Sequence, residues 1–167
     1  MISRFSKTFE TNKDSDSLNF GVFLERKNIR ENIQEKKKKI LVIDDSADLL
    51  LVICTILELD QYEVLSAETV ASALSLIAGL DRNGEYLDLI LLDNQIDDLS
   101  GSDFLHNLEE QQPEMIKRVP IVFLTGATQV PDSRASGLIT KPVEINSFLK
   151  EVKSYIGKQP NPGCAQH

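Results

Sequence analysis

The chain has 167 residues, 41% of them hydrophobic and 26% charged, with no Trp and a formal net charge of −8. That length suits one domain of ordinary size with a remainder, and the apolar content rules out a wholly disordered chain. No run approaches the roughly 18 apolar residues that a membrane span needs, and residues 1–10 hold Arg4 and Lys7 but no apolar stretch of the secretory-signal type.

Residues 1–38 read as an extension that ends in a basic linker. Up to Lys39 the chain holds ten Lys or Arg against six Asp or Glu, a net of +4, which leaves −12 for residues 40–167. The larger part is therefore a poor nucleic-acid binder, because neutralising phosphates takes a basic surface. Within the extension, Phe20, Val22, Phe23, Ile29 and Ile33 line part of one face of a short helix between Leu18 and Glu35. Such a helix would dock on the domain or pair with a second chain as a homodimer; the plainer reading is a disordered arm. Lys36 to Lys39 read as a solvated linker.

A domain is expected over residues 39–157, followed by a flexible tail, 158–167. Ile40-Leu41-Val42-Ile43 is a short apolar run of the buried-strand kind. Ser46 then suits an N-cap, with Leu49, Val52, Ile53, Ile56 and Leu57 recurring at helical spacing. Cys54 sits in that run as a small core residue, and Cys164 lies in the tail, an arrangement that argues for a reducing compartment and so for the cytoplasm. Glu63 to Ala67 fits a second strand, and Val70, Ala73, Leu74 and Ile77 a second helix ending at Gly79. Leu87 to Leu92 is a third strand, Phe104, Leu105 and Leu108 mark a third helix, and Ile121 to Leu124 is a fourth strand. His106 reads as a surface or helix-packing residue. Leu138-Ile139 is a short fifth strand, before a last helix through Ile145, Phe148, Leu149, Val152 and Ile156. Strands apolar on both faces and separated by helices indicate an α/β fold, a doubly wound five-stranded parallel sheet. The interval from Thr125 to Lys141, sixteen positions along the chain, leaves little room for a full fourth helix, so one turn or an irregular loop is expected.

Ligands of open parallel sheets bind beyond the carboxyl ends of the strands. Asp44 and Asp45 follow the first strand, Asp93 ends the third, Thr125-Gly126 the fourth and Lys141-Pro142 the fifth. Neighbouring carboxylates repel by about 4 kcal/mol per pair at about 4 Å and an effective dielectric near 20. One lysine does not neutralise three acids, so a hard divalent cation is the natural remedy, and oxygen ligands favour Mg²⁺. One carboxylate is then free to attack phosphorus and form an acyl phosphate. Thr125, Lys141 and backbone N–H groups would gather around the phosphoryl oxygens.

The stretches ILVIDDS, LDLILLDNQIDDLSG, VPIVFLTGA and GLITKP resemble, in this order, the bacterial response-regulator receiver domain of two-component systems. The resemblance implies the flavodoxin-like receiver fold with a shortened fourth helix. It implies Asp93 as the phosphorylated residue, Asp45 as a direct Mg²⁺ ligand, Asp44 as a water-mediated one and the Gln95 backbone carbonyl as a third. Thr125 becomes the hydroxyl that closes on the phosphoryl group and Lys141 its counter-ion, with the Lys141–Pro142 bond cis. Gly101, eight residues after Asp93, stands where the family has a loop glycine. Three positions depart from the family: Ile96 and Asp97 replace Met-Pro, Leu138 replaces the aromatic switch residue, and the segment before Lys141 is short. The implied protein is a single-domain regulator, not an enzyme in the usual sense, that takes a phosphoryl group from a sensor histidine kinase or phosphotransfer protein. The alternative is a receiver-like interaction module that does not switch. A flavodoxin-like nucleotide or flavin binder is disfavoured, because the residues after the first strand are acidic and lack glycine.

Overall fold

The computed structural model describes residues 36–158, apart from residues 97 and 127, and all of these but Lys36 fall within the unit Lys37–His167. The helix expected between Leu18 and Glu35, and nearly all of the expected tail, lie outside the described residues. In chain order the elements are β1 (Lys39–Ile43), α1 (Ala47–Leu59), β2 (Glu63–Ala67), α2 (Val70–Arg82), β3 (Leu89–Asp93), β4 (Gln95–Ile96), β5 (Leu99–Ser100), α3 (Gly101–Gln111), α4 (Pro113–Ile116), β6 (Ile121–Thr125), β7 (Gly137–Thr140) and α5 (Ile145–Tyr155).

The five apolar strands form one sheet in the order β2-β1-β3-β6-β7, and every pairing is parallel. Side chains alternate along a strand, so each strand feeds two cores. Leu41, Ile43, Ile90, Leu92 and Phe123 pack with Ala73 and Ile77 of α2 and Phe104 and Leu108 of α3. Ile40, Val42, Leu89, Leu91, Val122 and Leu124 pack with Leu50, Ile53 and Leu57 of α1 and Phe148 and Val152 of α5. This is the doubly wound α/β fold expected, with helices on both faces of the sheet.

Several local expectations are corrected. In α1, Ile53 and Leu57 are buried, but Leu50 completes the stripe, and Val52 is 51% exposed. Most positions from Leu49 to Leu59 are apolar, so spacing alone does not choose the buried face; Ser46, whose hydroxyl accepts the Leu49 N–H at 3.3 Å, sets the phase. Cys54 is half-buried rather than sealed in the core, and burial pushes its thiol pKa up. Helix α2 runs past Gly79 to Arg82, and the left-handed position falls to Gly84 at φ +67°. β3 begins at Leu89 rather than Leu87. Ile145 is exposed at the start of α5, where the Glu144 carboxylate accepts the Asn146 and Ser147 N–H groups. Lys39 is no part of a solvated linker: it is buried in β1 with its ammonium between Glu63, at 2.9 Å, and Glu85. His106 is a surface residue beside Glu110.

Between β6 and β7 the described residues form an irregular loop without helix or strand, one of the two forms expected. Its turn is closed by Arg134, whose Nε and Nη2 donate to the Asp132 carboxylate at 2.9 and 2.6 Å. These bonds hold the Asp132 carboxyl below the usual carboxylate range, against an opposing effect of burial.

Gly101 opens α3 where a Cβ would lie 2.4 Å from the Phe123 ring and 2.8 Å from the Asp93 carbonyl oxygen. Gly101→Ala should therefore lower the denaturant midpoint, at a cost of about 1–3 kcal/mol typical of overpacking, although alanine is the better helix former; an unchanged midpoint would refute the contact. Asp132 generates a pH prediction. Because its folded pKa is depressed, its stabilisation is complete above the ordinary value of about 3.9 and is lost as pH falls through the lower folded value. Asp132→Asn should flatten that acid limb of the stability profile, and an equally steep limb in the variant would contradict the assignment.

Candidate functional site

All five strands point the same way, so the residues that follow them meet at one edge of the sheet. Asp44 follows β1 and is 1% exposed; its N–H reaches the Ala67 carbonyl at the end of β2 at 3.2 Å. Its Oδ1 accepts the Ser46 N–H at 2.9 Å, an Asx turn that leads into α1. Its Oδ2 accepts from Lys141 Nζ at 2.8 Å. The same ammonium stands 3.1 Å from Asp93 Oδ1, and that oxygen also accepts the Asn94 N–H at 2.7 Å. Asp45 is exposed, and one carboxylate oxygen from each of Asp44, Asp45 and Asp93 falls within 4.8 Å of the others.

Thr125 is the buried last residue of β6, one step beyond Leu124, the register partner of Asp93. Its carbonyl accepts the Lys141 N–H at 2.9 Å, which ties the hydroxyl-bearing residue to the lysine through the backbone. The Lys141–Pro142 peptide bond is cis. Gln95 lies two residues past Asp93, paired across the β4–β5 ribbon with Ser100. Ile96 is buried, and Leu138 is half-buried against the core beneath α2 and α3.

The charges answer one another. Burial raises the Asp93 carboxyl above its usual range and the Asp44 charge pushes the same way, while Lys141 and the Asn94 N–H oppose them without cancelling the rise. For Lys141, burial favours the neutral amine, but its bonds to Asp44 and then Asp93 prevail and raise its pKa. The ammonium thus stays charged between two carboxylates, leaving a formal excess of negative charge. An all-oxygen donor set with uncompensated charge, its Asp44 member buried and its Asp93 member partly so, fits a hard divalent cation.

Asp44, Asp45, Asp93 and Lys141 are therefore brought together, with Thr125 and Gln95 on the segments beside them. Two participants escaped the sequence reading, the backbone N–H groups of Ser46 and Asn94. The Asp44-Ala47 stretch carries a signal for the first, since an Asp two residues before a helix cap commonly bonds to backbone; nothing in the residue types announces the second.

Residues 40–153 match the family model described as the response regulator receiver domain. The chain is 32% identical over 136 residues to the phosphate regulon transcriptional regulatory protein PhoB of Pseudomonas aeruginosa, covering 77% of this chain and 56% of that protein. To the transcriptional regulatory protein GlrR of Escherichia coli it is 26% identical over 126 residues, covering 72% of this chain and 26% of that protein. It thus spans about a quarter of the one and little more than half of the other. Among solved structures, the CheY-like response regulator receiver domain protein of Methanospirillum hungatei is similar, with a TM-score of 0.58 at 27% identity over 71% of this chain and 93% of that one. With its parallel five-stranded sheet and its acids at the strand ends, the chain belongs to the response regulator receiver domain family of two-component systems.

Proposed function

We propose that this chain is a phosphoacceptor regulator in two-component signalling, and that Asp93 takes the phosphoryl group. The observation that carries the reading is the convergence of Asp44, Asp45 and Asp93 around the Lys141 ammonium, 2.8 Å from one acid and 3.1 Å from another. Asp44, Asp45, Asp93 and the Gln95 carbonyl would hold Mg²⁺, which when bound supplies positive charge to the acids and to the incoming phosphoryl oxygens. An Asp93 oxygen attacks phosphorus; the new O–P bond forms as the donor's N–P bond breaks, and the departing imidazole nitrogen takes its proton from solvent. Lys141, already poised beside Asp93, turns to the phosphoryl oxygens as counter-ion, and the Thr125 hydroxyl donates to one of them. Desolvation of Asp93 favours spreading its charge onto a larger group. The donor is a sensor histidine kinase or a phosphotransfer protein, and the setting is the cytoplasm.

A second reading, a receiver-like module that binds partners without switching, is favoured by the helix-free loop before β7 and by Leu138 in place of an aromatic side chain. Partner affinity measured with and without phosphorylation separates the two.

Incubation with Mg²⁺ and acetyl phosphate should add one phosphoryl group to the parent chain and none to Asp93→Asn, read by intact mass. Equal labelling of both would overturn the assignment. Mg²⁺ alone should raise the melting temperature of the parent, with about 2.7 kcal/mol of added stability at a hundredfold excess over its Kd. Asp45→Ala, at an exposed position, should blunt that rise without changing the fold; a full rise in the variant would place the ion elsewhere.

A further inference from the structure

Arg134 lies in the loop between β6 and β7, yet only 20% of its side chain is exposed. Besides closing the Asp132 turn, its Nη1 reaches Glu109 of α3 at 3.2 Å and its Nη2 donates to the Ser102 carbonyl, in the first turn of α3, at 3.1 Å. The next residue, Ala135, is buried in the core that holds Phe104 and Phe123. A planar guanidinium with partners on two segments is a clasp, and it fixes the loop to α3.

The same first turn is tied to the acceptor. The Gly101 N–H donates to the Asn94 carbonyl at 2.8 Å, and the Asn94 N–H donates to Asp93 Oδ1 at 2.7 Å. Hydrogen bonds and single covalent steps therefore run from Asp93 through Asn94, Gly101 and Ser102 to Arg134. Gly101 is pressed against Phe123 and the Asp93 backbone, so no void absorbs a shift at this junction.

We propose that the Arg134 clasp couples the β6–β7 loop to the state of Asp93: the ionised acid favours the clasped loop, and an occupied acid favours its release. The inference rests on Asp93 being the phosphoacceptor. While Asp93 is ionised, its bond from Asn94 is charge-assisted; once the carboxylate is bonded to phosphorus its charge is dispersed, and that bond weakens by roughly half. Asn94 and the α3 turn attached to it then relax, and the Ser102 acceptor moves relative to Arg134. Coupling is reciprocal, so a broken clasp must favour occupancy of Asp93.

The test uses the full chain with Mg²⁺ and beryllium fluoride as a mimic of the phosphoryl group. In the parent, the mimic should speed hydrogen exchange at the Arg134, Ala135 and Ser136 amides severalfold. Arg134→Gln should show fast exchange there without the mimic and should bind it about fivefold more tightly, at the lower end of allosteric couplings. Glu109→Gln should shift both readouts the same way by less, and it decides the matter if Arg134→Gln fails to fold. Unchanged loop exchange in the parent on binding, or parent-like affinity in both variants, overturns the coupling. An Asp93→Asn variant that binds the mimic as the parent does would instead overturn the acceptor assignment on which the coupling rests.

Discussion

Like charges gathered at one rim, with a single ammonium between them, are the constraint around which this domain is organised. Asp44, Asp45 and Asp93 are carried there by strands whose other side chains are almost all apolar, so their positions are inherited from the packing of the sheet. The lysine bridges acids that are far apart in sequence, and its hold on Asp44 and Asp93 is compatible with burial only because both partners are also bonded to backbone N–H groups. The arrangement leaves a formal excess of negative charge at the rim. At the opposite edge of the sheet the charges are closed off: Lys39 is matched by Glu63 and Glu85, and Asp88 receives both the Lys39 N–H and the Lys38 ammonium. The two ends of the strands thus do different work, one sealing the sheet and the other leaving charge to be satisfied.

Much of this was legible in the residues. Short apolar runs alternating with helical spacing read as strands of a covered parallel sheet, and the acids and lysine of the site stand at or just past the ends of such runs, where the topology brings them together. The unread parts share a physical cause, which is that they depend on backbone groups or on contacts distant in sequence. The N–H group of Asn94 carries no sequence signature, and that of Ser46 only the weak one of an Asp two residues before a helix cap. The β4–β5 ribbon has two residues a side, too few to show a period. Arg134 meets Glu109 and the Ser102 carbonyl across 25 and 32 residues, so its role shows only once the chain is folded. Lys39 looked like the last of four linker lysines because nothing local distinguishes it from Lys38. The buried stripe of α1 was misplaced for a different reason: a helix apolar at most positions offers more than one stripe.

The loop before β7 bears on what the domain transmits. A segment of about eleven residues without a helix would ordinarily be a weak place to store a conformational state. Here a partly buried ionic clasp and the buried Ala135 give it two firm anchors. Among the described residues its ion pairs converge on one side chain, that of Arg134, which favours an abrupt change over a graded one. The helix-free architecture is thus compatible with a switch, provided the clasp and not helical packing is what holds it.

Asp44 has a double occupation that follows from its Asx turn. One of its oxygens faces the lysine, and the other starts α1 by way of Ser46. The carboxylate that holds the backbone of Ser46, the cap of α1, is therefore also a member of the acidic cluster. Its substitution would disturb chemistry and chain architecture together, and the two losses would be inseparable in any assay. Asp45, next to it and open to solvent, carries no such structural duty, which makes it the cleaner reporter of ion affinity.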